Sequence, residues 1–245
     1  MEDSKLRHKK IILCVTSIFL IALMLFKELS NFYESKSTLT QNVIENKKII
    51  YLTFDDGPST TTNKILDILK ENNVKATFFL IGKEIKDFEP IVRRIHNEGH
   101  SIGLHTYTHK INYIYANEEN FIKEMTDCRN EINRVTGISP SIIRFPCGSI
   151  KHLNSAYLDK LHNHNFKIYD WNVETSDGIN PRLSPDRQFK RAVKESKNLS
   201  QITLLMHCGY PNKNTYKTLP KIIKYYKEKG YEFKTITADT PEIIQ

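Results

Sequence analysis

Short runs of apolar, β-branched and aromatic residues alternate along this chain with longer stretches in which apolar positions recur every three to four residues. IIYLTF (49–54), ATFFLI (76–81), SIGL (101–104), SIIRF (141–145), FKIYDWNV (166–173), ITLLMH (202–207) and YEFKTI (231–236) read as strands. TNKILDILKENN (62–73), PIVRRIHNEG (90–99), EENFIKEMTDCRNEINRVTG (118–137), NSAYLDKLHNHN (154–165), SPDRQFKRAVKESK (184–197) and TYKTLPKIIKYYKEKG (215–230) read as amphipathic helices between them. Strand–helix alternation predicts a parallel sheet with crossover helices. About seven such units in about 200 residues predict an α/β fold, a distorted or incomplete (β/α) barrel. The functional site of such a barrel lies at the C-terminal ends of its strands.

The N-terminus breaks the pattern. Residues 1–10 carry Lys5, Arg7, Lys9 and Lys10, and the run from Ile11 to Phe26 contains no charge. That run is slightly shorter than the ~20 residues that cross a bilayer, and Lys27 and Glu28 can snorkel to cover the deficit. The reading is a basic cytoplasmic tail (1–10), a transmembrane signal-anchor (11–28), a polar linker (29–46) and a single domain (47–245) outside the membrane. A signal peptide is the rival, although no small-x-small cleavage site follows the run.

Composition adds little to the fold but narrows the partners. The 245 residues are 39% hydrophobic and 26% charged with a formal net charge of +8, which suits a packed domain attracted to polyanions such as a cell wall. The positive charge is scattered, so nucleic acid is not expected as a partner, and the domain is expected to be a monomer. Cys14, Cys128, Cys147 and Cys208 form no C-x-x-C pair, which argues against a structural zinc knuckle.

The polar residues that interrupt the pattern gather at predicted strand ends. Asp55 and Asp56 close the first strand, His105 and His109 follow SIGL, Arg144 lies at the end of SIIRF, and Pro146 and Cys147 follow it. Glu174 and Asp177 follow the Trp171 strand, and His207 ends ITLLM. Asp-Asp-Gly-Pro also makes an ordinary solvated turn. The i, i+4 spacing of His105 and His109 predicts two imidazoles on one face of a helical turn, as in H-x-x-x-H metal sites.

TFDDGP (53–58), HTYTH (105–109), RFPCG (144–148), WNVETSDG (171–178) and LLMH (204–207) occur in this order, with KATFFLIG (75–82) as second strand. Together they resemble the five motifs of the polysaccharide deacetylases (NodB-like deacetylases, carbohydrate esterase family 4). The resemblance covers Ile49 to about Phe233. It implies metal-dependent hydrolysis of an N-acetyl group. Asp56, His105 and His109 would hold a divalent ion, zinc first, with Co2+ or Ni2+ as substitutes. Asp55 would be the general base, held by Arg144, and His207 the general acid, held by Asp177. The backbone of Cys147, beside Pro146, would stabilise the oxyanion, and Trp171 and Leu205 would wall the acetyl pocket. Peptidoglycan is the expected polymer. Chitooligosaccharides, O-acetylated xylan and an inactive glycan-binding protein are the alternatives. Cys147, Cys208 and Gly178 stand where the family commonly has Tyr, Asp and Trp. The expectations are a more open groove beside Gly178, and two loop cysteines that are either a disulfide or thiol pair or simply two isolated small residues.

Overall fold

The computed structural model describes residues 24–34, 47–210 and 212–244. The chain divides into two units, residues 1–47 and 48–245. In the first, residues 24–34 are helical. The apolar run on which the anchor expectation rests lies mostly outside the described residues. Among the described residues no helix is long and apolar enough to cross a membrane.

The second unit runs β1 (Ile49–Gly57), α1 (Thr60–Glu71), β2 (Thr77–Leu80), α2 (Gly82–Ile85), α3 (Glu89–Asn97) and β3 (Ser101–Leu104). It continues through α4 (Ile111–Ile114), α5 (Glu118–Thr136), β4 (Ile142–Ile143), α6 (Ser155–Asn163) and β5 (Lys167–Ile168). Last come β6 (Val173–Glu174), α7 (Pro185–Glu195), β7 (Gln201–His207), α8 (Thr215–Glu228) and β8 (Glu232–Lys234). All strand pairs are parallel, in the order β5-β4-β3-β2-β1-β7-β6, with β8 pairing Ile49–Tyr51 of β1.

The predicted strand FKIYDWNV is in fact two strands at opposite edges of the sheet. Only residues 169–172 join β5 to β6, and five Cα steps of about 3.8 Å bound the gap between the edges at about 19 Å. The sheet therefore curls into a barrel that one short segment of chain spans. Periodicity could not show this break, because the segment's backbone is satisfied from elsewhere. The guanidinium of Arg144 donates to the carbonyls of Tyr169 (2.7 Å) and Asp170 (3.0 Å), and the Asp170 amide donates to Ile243 O (2.6 Å).

Alternation along β1 explains how the fold builds its site. Ile50, Leu52 and Phe54 face the helices and join the main apolar core with Ile65, Leu66 and Leu69 of α1. Tyr51 faces the barrel interior with Phe79, Ile142, Tyr169 and Ile236. Side chains two apart share a face, so Thr53 and Asp55 continue the interior row above Tyr51. Each apolar side chain buried there contributes about 1.5–3 kcal/mol, which gives the interior charges above them a rigid floor.

Candidate active site

The end of β1 is locked before any chemistry begins. Ser59 caps α1 by accepting from Thr61 N (3.0 Å) and donates to Cys208 O (2.6 Å), while Cys208 N donates to Asp55 O (2.8 Å). Burial pushes the Cys208 thiol well above its ordinary pKa, so it stays protonated and donates to Asp55 O at 3.3 Å. Gly57 is required here, since a Cβ would lie 2.7 Å from Cys208 Sγ. Asp56 breaks the pairing register near the end of β1, with φ 67. That turn brings its carboxylate round to the same cavity, where Asp56 Oδ1 lies 3.5 Å and Asp55 Oδ2 3.9 Å from His105 Nε2, so adjacent aspartates reach one site with different partners.

Asp55 is 2% exposed. Arg144, fully buried, reaches it across the barrel with Nη1 at 3.0 Å from Oδ1 and 2.7 Å from Thr53 Oγ1, its guanidinium lying 4.2 Å from the Phe79 ring centre. A buried charge of this kind is tolerable only when fully hydrogen-bonded and paired. Four acceptors meet that need here: Asp55, Thr53 and two carbonyls.

Asp56 Oδ1 lies 3.5 Å from both His105 Nε2 and His109 Nε2, and one ligand atom from each residue falls within 4.8 Å of the others. Ligands at about 2.0–2.2 Å from a tetrahedral ion stand about 3.4 Å apart, so this carboxylate and two imidazoles fit a metal ion. His105 Nδ1 lies 2.9 Å from Arg144 O. A carbonyl there accepts from Nδ1–H, which leaves the lone pair of Nε2 free to bind a metal ion. Burial foremost, then the neighbouring His105, lowers the pKa of His109, against the pull of Asp56 and Asp55. The neutral imidazole that results is the ligating form.

The two histidines do not sit on a helical turn. Residues 105–110 are a loop, with left-handed Thr106 (φ 66) and His109 (φ 56). What brings the rings to a 5.1 Å separation is a clamp absent from the sequence reading, the buried Glu124 of α5. Its carboxylate accepts from Tyr107 N (2.8 Å), Thr108 N (2.6 Å) and Thr108 Oγ1 (2.9 Å). The signal was a glutamate on the apolar face of α5, beside Phe121, Met125 and Cys128. Glu124→Ala leaves three partly buried donors without their acceptor, at up to about 1 kcal/mol each. The expected results are a Tm fall of several degrees and a loss of about 10- to 100-fold in metal affinity. Calorimetry and competitive chelation check both, and unchanged affinity would remove Glu124 from the account.

Across the cavity His207 Nδ1 and Asp177 Oδ1 lie 2.8 Å apart. The other Asp177 oxygen accepts from His207 N (2.9 Å) and Thr215 Oγ1 (2.6 Å). Burial raises the Asp177 pKa, but these bonds and the His207 charge outweigh it and hold the carboxyl below its ordinary value. Burial by itself would lower His207, yet Asp177, helped by Asp55 and Asp56, raises it to about 9.

Asp55, Asp56, His105, His109, Cys147, Trp171, Leu205, Asp177 and His207 all line one cavity of about 470 Å³ at the C-terminal end of the sheet. Pro146 does not; it is buried, and its carbonyl accepts from Tyr115 Oη (2.6 Å). Cys147 turns outward with φ 65. Cys147 and Cys208 are free thiols, one exposed and one buried, so no bridge joins them. Nor is space left open by Gly178, because a Cβ there would meet His207 Cε1 at 2.3 Å. The imidazole occupies the room that a side chain would take.

A parallel (β/α) barrel with an arginine-held carboxylate, an Asp-His-His cluster and an aspartate-held histidine in one cavity defines a hydrolase. Residues 42–169 match the family model described as polysaccharide deacetylase. The chain belongs to the polysaccharide deacetylase family. A peptidoglycan-N-acetylglucosamine deacetylase of Bacillus cereus is 37% identical over 193 residues, 78% of this chain and 70% of that protein. The crystal structure of polysaccharide deacetylase Bc1974 from Bacillus cereus matches with a TM-score of 0.74 at 34% identity, covering 81% of this chain and 97% of that one. The catalytic domain of a peptidoglycan N-acetylglucosamine deacetylase from Eubacterium rectale matches with a TM-score of 0.73 at 29% identity, covering 81% and 92%.

Proposed function

We propose that this chain hydrolyses the N-acetyl group of N-acetylglucosamine residues in peptidoglycan, releasing acetate and leaving a free amine. The observation that carries the reading is the convergence of Asp55–Arg144, Asp56–His105–His109 and His207–Asp177 on one cavity. The names of the similar proteins support the polymer. Asp56, His105 and His109 would hold a divalent ion, zinc by the character of two imidazoles and a carboxylate. Such an ion supplies a water whose pKa is lowered toward about 7 and polarisation of the acyl oxygen. Asp55 takes the proton of the attacking water, and Arg144, at 3.0 Å from Oδ1, keeps that carboxylate aimed. As the C–N bond breaks, His207 gives its proton to the departing nitrogen, and Asp177 holds the other ring nitrogen. The outward amide of Cys147 donates to the oxygen that gains charge, and Trp171 and Leu205 wall the acetyl methyl.

The apolar run 11–26, preceded by Lys5, Arg7, Lys9 and Lys10, supports an anchor with the domain outside the membrane. The test incubates the zinc-loaded full chain with peptidoglycan, chitooligomers and acetylxylan, and measures acetate and new amines. Acetate and amine in equal amounts from peptidoglycan, both lost on chelation, are expected. Acetate without amine, from acetylxylan alone, would make the enzyme an esterase. No acetate from any polymer would leave a glycan-binding protein.

A further inference from the structure

The central cavity is the middle of a groove. It shares Asp56, His109 and Tyr210 with a second cavity of about 580 Å³, which also holds Lys83, Glu84 and Lys110. It shares Ile179, Pro181 and Tyr210 with a third of about 530 Å³, which also holds Arg182 and Lys213. The two ends differ in charge. At the first, Lys83 pairs with Glu84 at 3.5 Å. At the second, no carboxylate is among the described lining residues, and Lys213 Nζ stands 5.0 Å from the Tyr210 ring centre. Tyr210 (74% exposed) and Ile179 (81% exposed) present apolar surface between this end and the site, a surface suited to a sugar ring.

The basic end is also a built one. The segment carrying Arg182 is pinned by Asn214 Nδ2, which donates to Leu183 O (3.1 Å), and by Arg182 N, which donates to Asn180 Oδ1 (3.0 Å). The segment carrying Lys213 is pinned by Asn212 Nδ2, which donates to Asp177 O (3.0 Å). The same two loops hold the His207–Asp177 pair, so the backbone from which the two exposed cations project keeps a fixed place beside the acid.

We infer that Arg182 and Lys213 form a specificity subsite for a carboxylate carried by the saccharide unit next to the one deacetylated. The inference rests on the deacetylase reading above. A guanidinium and an ammonium lining one cavity, the ammonium over an aromatic ring, match a carboxylate on a sugar. In a peptidoglycan strand that carboxylate is either the lactyl ether's own or one belonging to the peptide stem. An uncharged chitooligomer offers none.

The test measures kcat and KM of the zinc-loaded full chain and its R182Q/K213Q variant on three substrates. These are chitopentaose, glycan strands stripped of stems so that lactyl carboxylates are free, and strands with stems intact. Two exposed ion pairs set the expected effect: the ratio of kcat/KM on charged strands to that on chitopentaose falls about three- to tenfold, through KM. In the parent the same ratio falls as ionic strength rises from about 10 mM to about 150 mM. A fall confined to stripped strands assigns the lactyl carboxylate, and one confined to stem-bearing strands assigns the stem; either supports the subsite. R182K/K213R retains most of the ratio. An unchanged ratio in R182Q/K213Q, with the parent active, overturns the inference alone. A parent inactive on all three substrates overturns the deacetylase reading and the inference with it.

Discussion

Asp55→Asn is expected to lower kcat by about 10²- to 10⁴-fold, the range that a positioned general base supplies, while the protein still binds one divalent ion. The asparagine keeps the shape of the carboxyl but accepts no proton. Arg144 retains its bonds to Thr53 Oγ1, Tyr169 O and Asp170 O, so the barrel survives. Its guanidinium does lose the buried counter-charge at 3.0 Å. Breaking a buried pair by removing one partner costs about 3–5 kcal/mol, softened here because the amide oxygen can still accept from Nη1. A lower Tm therefore accompanies the loss of rate. Acetate release, metal stoichiometry and thermal melting separate these effects. An Asp55→Asn protein that releases acetate at the parental rate, with metal bound, would end the assignment of Asp55 as base.

That Asp55 points inward follows from alternation along β1, and it was legible in the sequence once Ile50, Leu52 and Phe54 were assigned to the helix-facing side. Arg144 and His207 at strand ends, and Asp177 just beyond one, were legible because they are polar residues standing where apolar runs stop; that Arg144 and Asp177 are buried there was not. The geometry of His105 and His109 was not. Their spacing suits a helix, but a distant carboxylate, Glu124, holds a loop with two left-handed residues in its place. Local spacing carries no information about a clamp contributed by another element. The split of FKIYDWNV into β5 and β6 was hidden by a similar cause. Arg144 satisfies two carbonyls that a sheet ladder would otherwise have claimed, and a side chain reaching over from another strand leaves no trace in the periodicity.

Three buried contacts meet at Asp177, and this predicts how its loss would appear in pH. The Asp177→Asn variant keeps acceptors for Thr215 Oγ1 and His207 N but removes the charge that favours imidazolium. The wild-type His207 pKa lies at about 9 against an ordinary 6.5. The difference corresponds to about 3 kcal/mol of preference for the protonated form, counted once for the pair. With Asp177 gone, burial dominates and the pKa falls. The wild-type rate should thus hold until pH approaches 9, then decline as the acid loses its proton. The alkaline limb of the variant moves to lower pH, and its kcat at neutral pH falls by about 10²- to 10⁴-fold.

Stability follows the same linkage. A histidine whose pKa is raised on folding gives its full contribution below 6.5 and loses it as pH rises through about 9. An aspartate whose pKa is lowered on folding gives its contribution above 3.8 and loses it as pH falls below that value. The Tm difference between wild type and Asp177→Asn is therefore expected to be widest between those limits and to close toward pH 9. A structural role alone would lower kcat equally at every pH and leave the alkaline limb in place. Such a profile would remove Asp177 as the residue that keeps His207 charged.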